Sequence, residues 1–463
     1  MDTKIATEVS GQTSPRERHP KGLTVLFATE MWERFGFYSL QAMLALYLRS
    51  ATQGLGWSTA HATRLYSTYL MCVWGSPLIG GWVADRFTGY RGAITLGGIF
   101  LAAGYFLLSL PSVSALYVAI AVLVVGNGFF KPNVSTMVGY LYPEGSPLKD
   151  SAFSIFYMGI NLGAFTAPIV AETVSQRFGF HPAFSVAGLG MIISMLIFWG
   201  FRRWVVAAHD VVVDRSSNKQ GGTGPGKASA INEVPDSRRI LALVVIFALV
   251  IVFWMIFYQS GSTLTYWAND NTDWTRSPVI LHLASVLTLG TVKPDLGNVS
   301  GVISNAINPF WIIVLTFPLV TFWGHLAKRG LEPSTPTKMA LGMVLTAGSL
   351  SLMGLAALNG GNDGKVSPWW LIGAYALLST GELMLSPMGL ALVSKVAPPR
   401  IRGQMMGGWF VATAIGSKLS VIGVYWEVWK HSSFFFLLAT FALVMAAALL
   451  LLLRPLKKAM PGV

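Results

Sequence analysis

The sequence has a single cysteine, Cys72, in 463 residues. No internal disulfide can form, which excludes a disulfide-built secreted domain. Charge is scarce as well. Asp, Glu, Lys and Arg make up 11% of the chain, against roughly a quarter in a soluble protein. An ordinary soluble enzyme and a disordered scaffold are therefore both excluded. Histidine is sparse and scattered: His19, His61, His181, His209, His282, His325 and His431 all fall at the ends of apolar runs or between them. They offer no cluster of metal ligands and no Ser/His/Asp arrangement, so no metal, cofactor or catalytic residue is expected. What is abundant is apolar: 53% hydrophobic residues, with 48 glycines, gathered into runs of about 20 residues, the length that crosses a bilayer as a helix.

Those runs predict an all-α polytopic membrane protein with twelve transmembrane helices, near residues 22–48, 62–83, 92–110, 113–140, 151–173, 180–201, 239–264, 302–327, 338–358, 368–394, 403–426 and 432–453. The polar stretch 1–21 reads as an N-terminal tail, with no cleaved leader expected. Residues 202–238 read as a polar linker, containing Gly221-Gly222-Thr223-Gly224-Pro225-Gly226 and too short for a folded domain. The chain thus divides into six-helix bundles at 22–201 and 239–454, with a short tail at 455–463. Within the loop 265–301, Ile280–Leu289 is apolar enough to lie on a surface but too short to span.

The net charge of +13 would suggest nucleic acid in a soluble chain. Here its distribution gives another reason. With the N-terminus inside, 23 of the 33 Lys and Arg residues fall in cytoplasmic segments. Seven lie outside: Arg49, Arg64, Arg177, Arg276, Lys293, Lys365 and Lys430. This is the positive-inside pattern of a membrane protein, with both termini cytoplasmic. No nucleic-acid partner is expected.

Three cations remain within spans, Arg34, Lys131 and Lys418, together with three acids well inside them, Glu30, Glu33 and Glu382. Each would cost about 2.5–3.5 kcal/mol at the bilayer centre, so the six are expected to balance one another around a wet interior. Glu30, Glu33 and Arg34 are spaced i, i+3 and i+4 and share a helical face, which Tyr38 and Gln41 continue. Lys131 and Glu382 each sit beside a proline break, Pro132 and Pro387. Lys418 reads equally as a counter-ion to Glu382 or as a transport residue. Low dielectric favours a neutral carboxyl, whereas a neighbouring guanidinium favours the carboxylate. A Glu–Arg pair that opens and closes could therefore pass a proton. Buried charges on both halves, near helix breaks, fit a carrier that rocks around a central site.

Several motifs then resemble a known family. Gly80-Gly81-Trp82-Val83-Ala84-Asp85-Arg86-Phe87-Thr88-Gly89-Tyr90-Arg91 is similar to the G-x-x-x-D-R-x-x-G-x-R loop of the major facilitator superfamily. Glu30-Met31-Trp32-Glu33-Arg34-Phe35-Gly36-Phe37-Tyr38 resembles the E-x-x-E-R-F-x-Y-Y signature of proton-dependent oligopeptide transporters. Phe156-Tyr157-Met158-Gly159-Ile160-Asn161-Leu162-Gly163-Ala164, Asn308-Pro309 and Gly381-Glu382-Leu383 with Ser386-Pro387 are similar to its elements on spans 5, 8 and 10.

The resemblance implies the major facilitator fold and proton-coupled uptake of di- and tripeptides by alternating access, driven by the proton gradient without a cofactor. It implies that Arg34 and Lys131 meet the peptide carboxylate, and that Glu382, Asn161 and Asn308 meet the amine. Tyr38, Trp74, Tyr157 and Ser386 would line the pocket, while Glu30, Glu33 and Arg34 would couple protons. It further implies a multi-pass protein of the cell membrane, a bacterial inner membrane, acting as a monomer. Two departures stand out. A span 1 arginine of the family is Gln41 here, and its span 7 acid is Tyr258, so a charged pair between the halves is replaced by two groups that can still hydrogen-bond. Two alternatives stay open at this point: a proton-coupled carrier of another solute, such as nitrate or a peptide-like drug, and a membrane peptide sensor that does not transport.

Overall fold

The computed structural model describes residues 19–143, 146, 148–205 and 234–461. The tail up to residue 18 and most of the linker, including Gly221–Gly226, lie outside the described residues. Helices α1 (Lys21–Arg49), α2 (Thr59–Val83), α3 (Gly89–Leu108), α4 (Val113–Tyr140), α5 (Lys149–Phe178) and α6 (Phe180–Gly200) form the first half. The second half holds α7 (Asp236–Phe257), α8 (Thr263–Asp270), α9 (Pro278–Leu287), α10 (Gly301–Ser304), α11 (Ile307–Lys328), α12 (Thr335–Gly360), α13 (Pro368–Val396), α14 (Arg402–Leu419), α15 (His431–Leu451) and α16 (Leu453–Ala459). Among the described residues, the only β pairing is an isolated bridge between Thr272 and Val366.

Ten helical stretches among the described residues are long and apolar enough to cross a membrane. One, Thr59–Leu108, is 50 residues long and contains both α2 and α3. At 1.5 Å per residue it would reach about 75 Å, far more than one crossing of a ~30 Å core. The stretch is broken by a π-helical turn at Ala84–Thr88, followed by Gly89 at φ 64°, a conformation glycine adopts without steric cost. Helix α1 is absent from the ten although it is 29 residues long, because Glu30, Glu33 and Arg34 interrupt its apolar character.

The two halves repeat one packing plan. In the first, α1 packs on α5, α2 on α4, and α3 on α4 and α6. In the second, α7 packs on α14, α11 on α13, and α12 on α13 and α15. Between the halves the principal seams are α2 against α14 and α5 against α11, pairs that exchange under the same repeat. Membrane helices approach this closely only where side chains are small. At the α2–α4 crossing, a Cβ on Gly80 would lie 2.0 Å from the Gly128 carbonyl oxygen.

Three apolar runs read as single spans are in fact broken. The seventh passes from α7 through a 3₁₀ turn, Tyr258–Gly261, into α8. The eighth is split into α10 and α11, and the eleventh ends as a 3₁₀ turn, Ser420–Tyr425. The break at Gly261 has a local cause, since the Tyr66 hydroxyl oxygen from the other half lies 1.9 Å from where a Cβ would sit.

Candidate functional site

A cavity of about 270 Å³ lies between the halves. Helix α1 contributes Glu30, Arg34, Tyr38 and Gln41, α2 contributes Trp74, and α4 contributes Lys131. Tyr157 and Asn161 come from α5, Asn308 from α11, and Glu382 and Ser386 from α13. Every substrate-binding residue expected from the sequence therefore faces one space. Glu33 stands behind it, fully buried.

The charges are arranged asymmetrically. Arg34 is gripped by Glu33, with Nε donating to Oε2 at 2.5 Å and Nη2 to Oε1 at 2.7 Å. Glu30 is held more loosely, its Oε1 lying 3.4 Å from Arg34 Nε, and its buried Oε2 has no hydrogen-bond partner among the described residues. Arg34 Nη2 also donates to Asn127 Oδ1 at 3.4 Å, and Asn127 is fixed by donating to the Val73 carbonyl at 2.8 Å. Such a two-pronged guanidinium–carboxylate pair is stronger than a neutral hydrogen bond and fixes orientation.

The expected balance of three cations against three acids is only partly met. Among the described residues, Lys131 forms no ion pair; its Nζ lies 3.4 Å from the centroid of the Trp74 ring, a cation–π contact. Glu382 likewise has no cationic partner there and instead accepts from Asn308 Nδ2 at 3.0 Å. The same amide donates to Ser379 Oγ at 3.0 Å. Lys418 is not the counter-ion of Glu382: its Nζ donates to Thr68 Oγ1 at 2.6 Å, across the α2–α14 seam. The cavity thus keeps two unpaired ionic groups of opposite sign, one on each half.

Trp254 and Trp409 also line this cavity. Trp254 stacks on Tyr258 with centroids 5.4 Å apart, and Trp74 approaches both. Tyr258 contributes its ring, since its buried hydroxyl has no hydrogen-bond partner among the described residues. The replacement of the family's charged pair is therefore an aromatic contact across the halves, with no bond from Tyr258 to Gln41.

Polar contacts joining the halves gather at the end of the bundle where α1 stops and α2 starts. Arg49 pairs with Asp270 at 2.9 Å and approaches Glu427 at 3.7 Å, and Thr59 donates to Glu427. Glu172 accepts from the Ser300 backbone N–H at 2.8 Å and from its hydroxyl. Asn298 donates to Gln176 at 2.8 Å. Neither group was foreseen. Glu172 is fully buried yet close to the end of its apolar run, where a carboxylate reads as solvated.

Comparison with known proteins places the chain. A profile described as the POT family matches residues 91–210 and 206–435. The chain belongs to the POT family. It is similar to an uncharacterized transporter of Bacillus subtilis named YclF, with 33% identity over 96% of each chain. It is 30% identical to a di-/tripeptide transporter of Lactococcus lactis, over 96% of this chain and 97% of the relative. A solved peptide transporter of this kind, in complex with alafosfalin, superposes with a TM-score of 0.81 at 30% identity over 97% of each chain. As a POT-family member the protein is a multi-pass membrane transporter and not an enzyme.

Proposed function

We propose that the protein is a proton-coupled symporter that imports di- and tripeptides by alternating access around the central cavity. The observation that carries the reading is the placement of Lys131, free of any carboxylate among the described residues, and Glu382, free of any cation there, on opposite walls of one small space. A zwitterionic peptide offers a carboxylate to the first and an amine to the second, so binding replaces two unpaired charges with two charge-assisted pairs. A substrate bearing only one charge leaves the other group unpaired in a low-dielectric site, which is costly. The similarity to a di-/tripeptide transporter and to a solved structure holding alafosfalin supports the same substrate class.

The proton path rests on the α1 triad. Arg34 shared between two glutamates leaves Glu30 as the weaker partner, with one oxygen unused. A peptide carboxylate arriving at Arg34 and Lys131 competes for the guanidinium, so Glu30 or Glu33 takes up a proton as its hold on Arg34 weakens. The polar seam at the Arg49 end supports closure of the cavity on the outer side in this reading, with the cavity reached from the cytoplasm. In the same reading α1 completes twelve spans, both termini lie in the cytoplasm, and the protein works as a monomer in a bacterial inner membrane without a cofactor.

The test is uptake of labelled dialanine by proteoliposomes under an inward proton gradient. Accumulation above equilibrium that a protonophore abolishes is the expected result. Binding without accumulation would overturn the transport reading, and accumulation indifferent to the protonophore would overturn the coupling.

A further inference from the structure

A second cavity, of about 250 Å³, lies on the outer flank of the α5–α11 seam. Phe165 and Ile169 of α5 form one wall, Ile303, Ile307 and Phe310 of α10 and α11 the other, and α9 lies across it through Leu283 and Ala284. The lining side chains are apolar, and the one polar side-chain atom among them is already used, because Trp274 Nε1 donates to the Ala268 carbonyl at 3.0 Å. Such a space does not hold water, and it exceeds the ~150 Å³ apolar cavity that admits benzene.

Three observations indicate what fills it. First, Gly301–Lys328, which holds α10 and α11, is the least covered by protein of the ten membrane stretches, with only 11% of its most apolar part buried. Phe310 lines the slot and is itself 43% exposed, so the slot reaches the outward-facing surface of α11. Second, α9 covers the slot with apolar side chains and carries exposed apolar residues beside the exposed His282. Leu281 and Ala284 are buried while Val279, Leu283 and Val286 are largely exposed. Short helices of this kind rest at a membrane boundary; at ten residues it is about 15 Å long and cannot cross the membrane. Third, depth is set by the polar seam. Ile169 and Phe165 lie three and seven residues along α5 from Glu172, which puts them about 4.5 and 10.5 Å deeper than the Ser300 contact. The slot therefore runs inward from the polar boundary, the course of a lipid chain.

We propose that this slot is a binding site for one acyl chain of a membrane phospholipid. Its place gives the chain a role. Ala164 lines the central cavity and Phe165 lines the slot; Asn308 and Pro309 line the cavity while Ile307 and Phe310 line the slot. The same two helix segments are the wall between the spaces, and the Phe165–Phe310 ring contact at 6.4 Å joins them. An acyl chain packed behind that wall supports the position of Asn308, and with it the hydrogen bond to Glu382. Because the walls belong to different halves, movement of one half against the other alters the slot.

The site is tested on the full-length protein by native mass spectrometry, with phosphatidylglycerol retained as detergent strips loosely held lipid. The wild type should keep one phospholipid. Ala284→Trp and Ile303→Trp, which fill the slot, should lower retention at least about tenfold, the worth of roughly two buried methylene groups. Val314→Trp, on the bilayer-facing side of α11 outside the slot, should retain lipid as the wild type does. Equal retention in all four proteins would overturn the proposal. If the filling variants do not fold, wild type with a bromine-labelled acyl chain decides the matter. Bromine density between Phe165 and Phe310 supports the site, and its absence, or density for a peptide or a second copy of the chain there, overturns it. Neither readout depends on transport, so failure here leaves the peptide reading untouched, and the converse.

Discussion

Glu33 closes both prongs of the Arg34 guanidinium and lines no part of the cavity, so its replacement separates coupling from binding. In Glu33→Gln the amide can accept one hydrogen bond but cannot release a proton, while Glu30 remains 3.4 Å from Arg34 to balance its charge. Gradient-driven accumulation should fall to the equilibrium level, whereas peptide counterflow between compartments of equal pH should persist. Accumulation that survives would remove Glu33 from the coupling step. Residues such as these were legible in the sequence, because i, i+3 and i+4 spacing fixes a shared helical face before any fold is known. Pairing across helices was not. Nothing in the local sequence of Lys418 says that Thr68, 350 positions away, takes its amine, or that Trp74 presents its ring to Lys131. Such partners depend on which helices meet, and spacing within a single helix carries no record of that.

At the scale of elements, the glycines decide how near the helices come. A methyl group on Gly80 would overlap the Gly128 carbonyl oxygen of α4, 2.0 Å away, whereas one on Gly75, a turn or so earlier in α2, would meet nothing within 4 Å. Gly80→Ala should therefore lower the melting temperature in detergent, by an overpacking cost of about 1–3 kcal/mol. Gly75→Ala should leave it unchanged or raise it, since alanine is the better helix former. Equal effects would mean that the α2–α4 crossing is looser than described. Helix positions were largely legible from apolar periodicity, with α13 at Pro368–Val396 against an expected 368–394. The exceptions share a cause. Helix α5 continues to Phe178, five residues beyond its apolar run, because Glu172 and Gln176 are taken up by Ser300 and Asn298 of the other half. At Tyr258–Gly261 the Tyr66 hydroxyl of the other half crowds Gly261, and before Asn305 the Thr265 backbone of α8 crowds Gly301. Mean apolarity cannot register a polar helix end satisfied by a partner, nor a break imposed from outside.

For the whole molecule, the alternating-access proposal gives the seam at Arg49 the task of setting the balance between states. Its ion pairs are partly exposed, with the Arg49 side chain 25% and the Asp270 side chain 39% accessible, so each contributes about 1 kcal/mol or less. Conformational states that differ by only a few kcal/mol respond to contributions of this size. Arg49→Ala also removes the cation–π contact to Tyr266 at 4.4 Å, and it should raise the population open at this end. Spin labels on the exposed positions Ala51 and Val428 would report it as growth of a longer-distance component, and an unchanged distance distribution would show that the aromatic contact of Trp74 with Trp254 and Tyr258 suffices to hold the halves closed.

In the proposed function the two unpaired charges of the cavity hold the two ends of one peptide. Binding of dialanine, its methyl ester and its N-acetyl derivative to the wild type, Lys131→Ala and Glu382→Gln tests it directly. A charge-assisted contact is worth about 1.5–3 kcal/mol, so each variant should bind dialanine at least about tenfold more weakly. Lys131→Ala should lose little further for the ester, and Glu382→Gln little further for the acetylated peptide. Uniform losses across all three ligands in both variants would contradict the account, for they would mean that neither residue meets a peptide end.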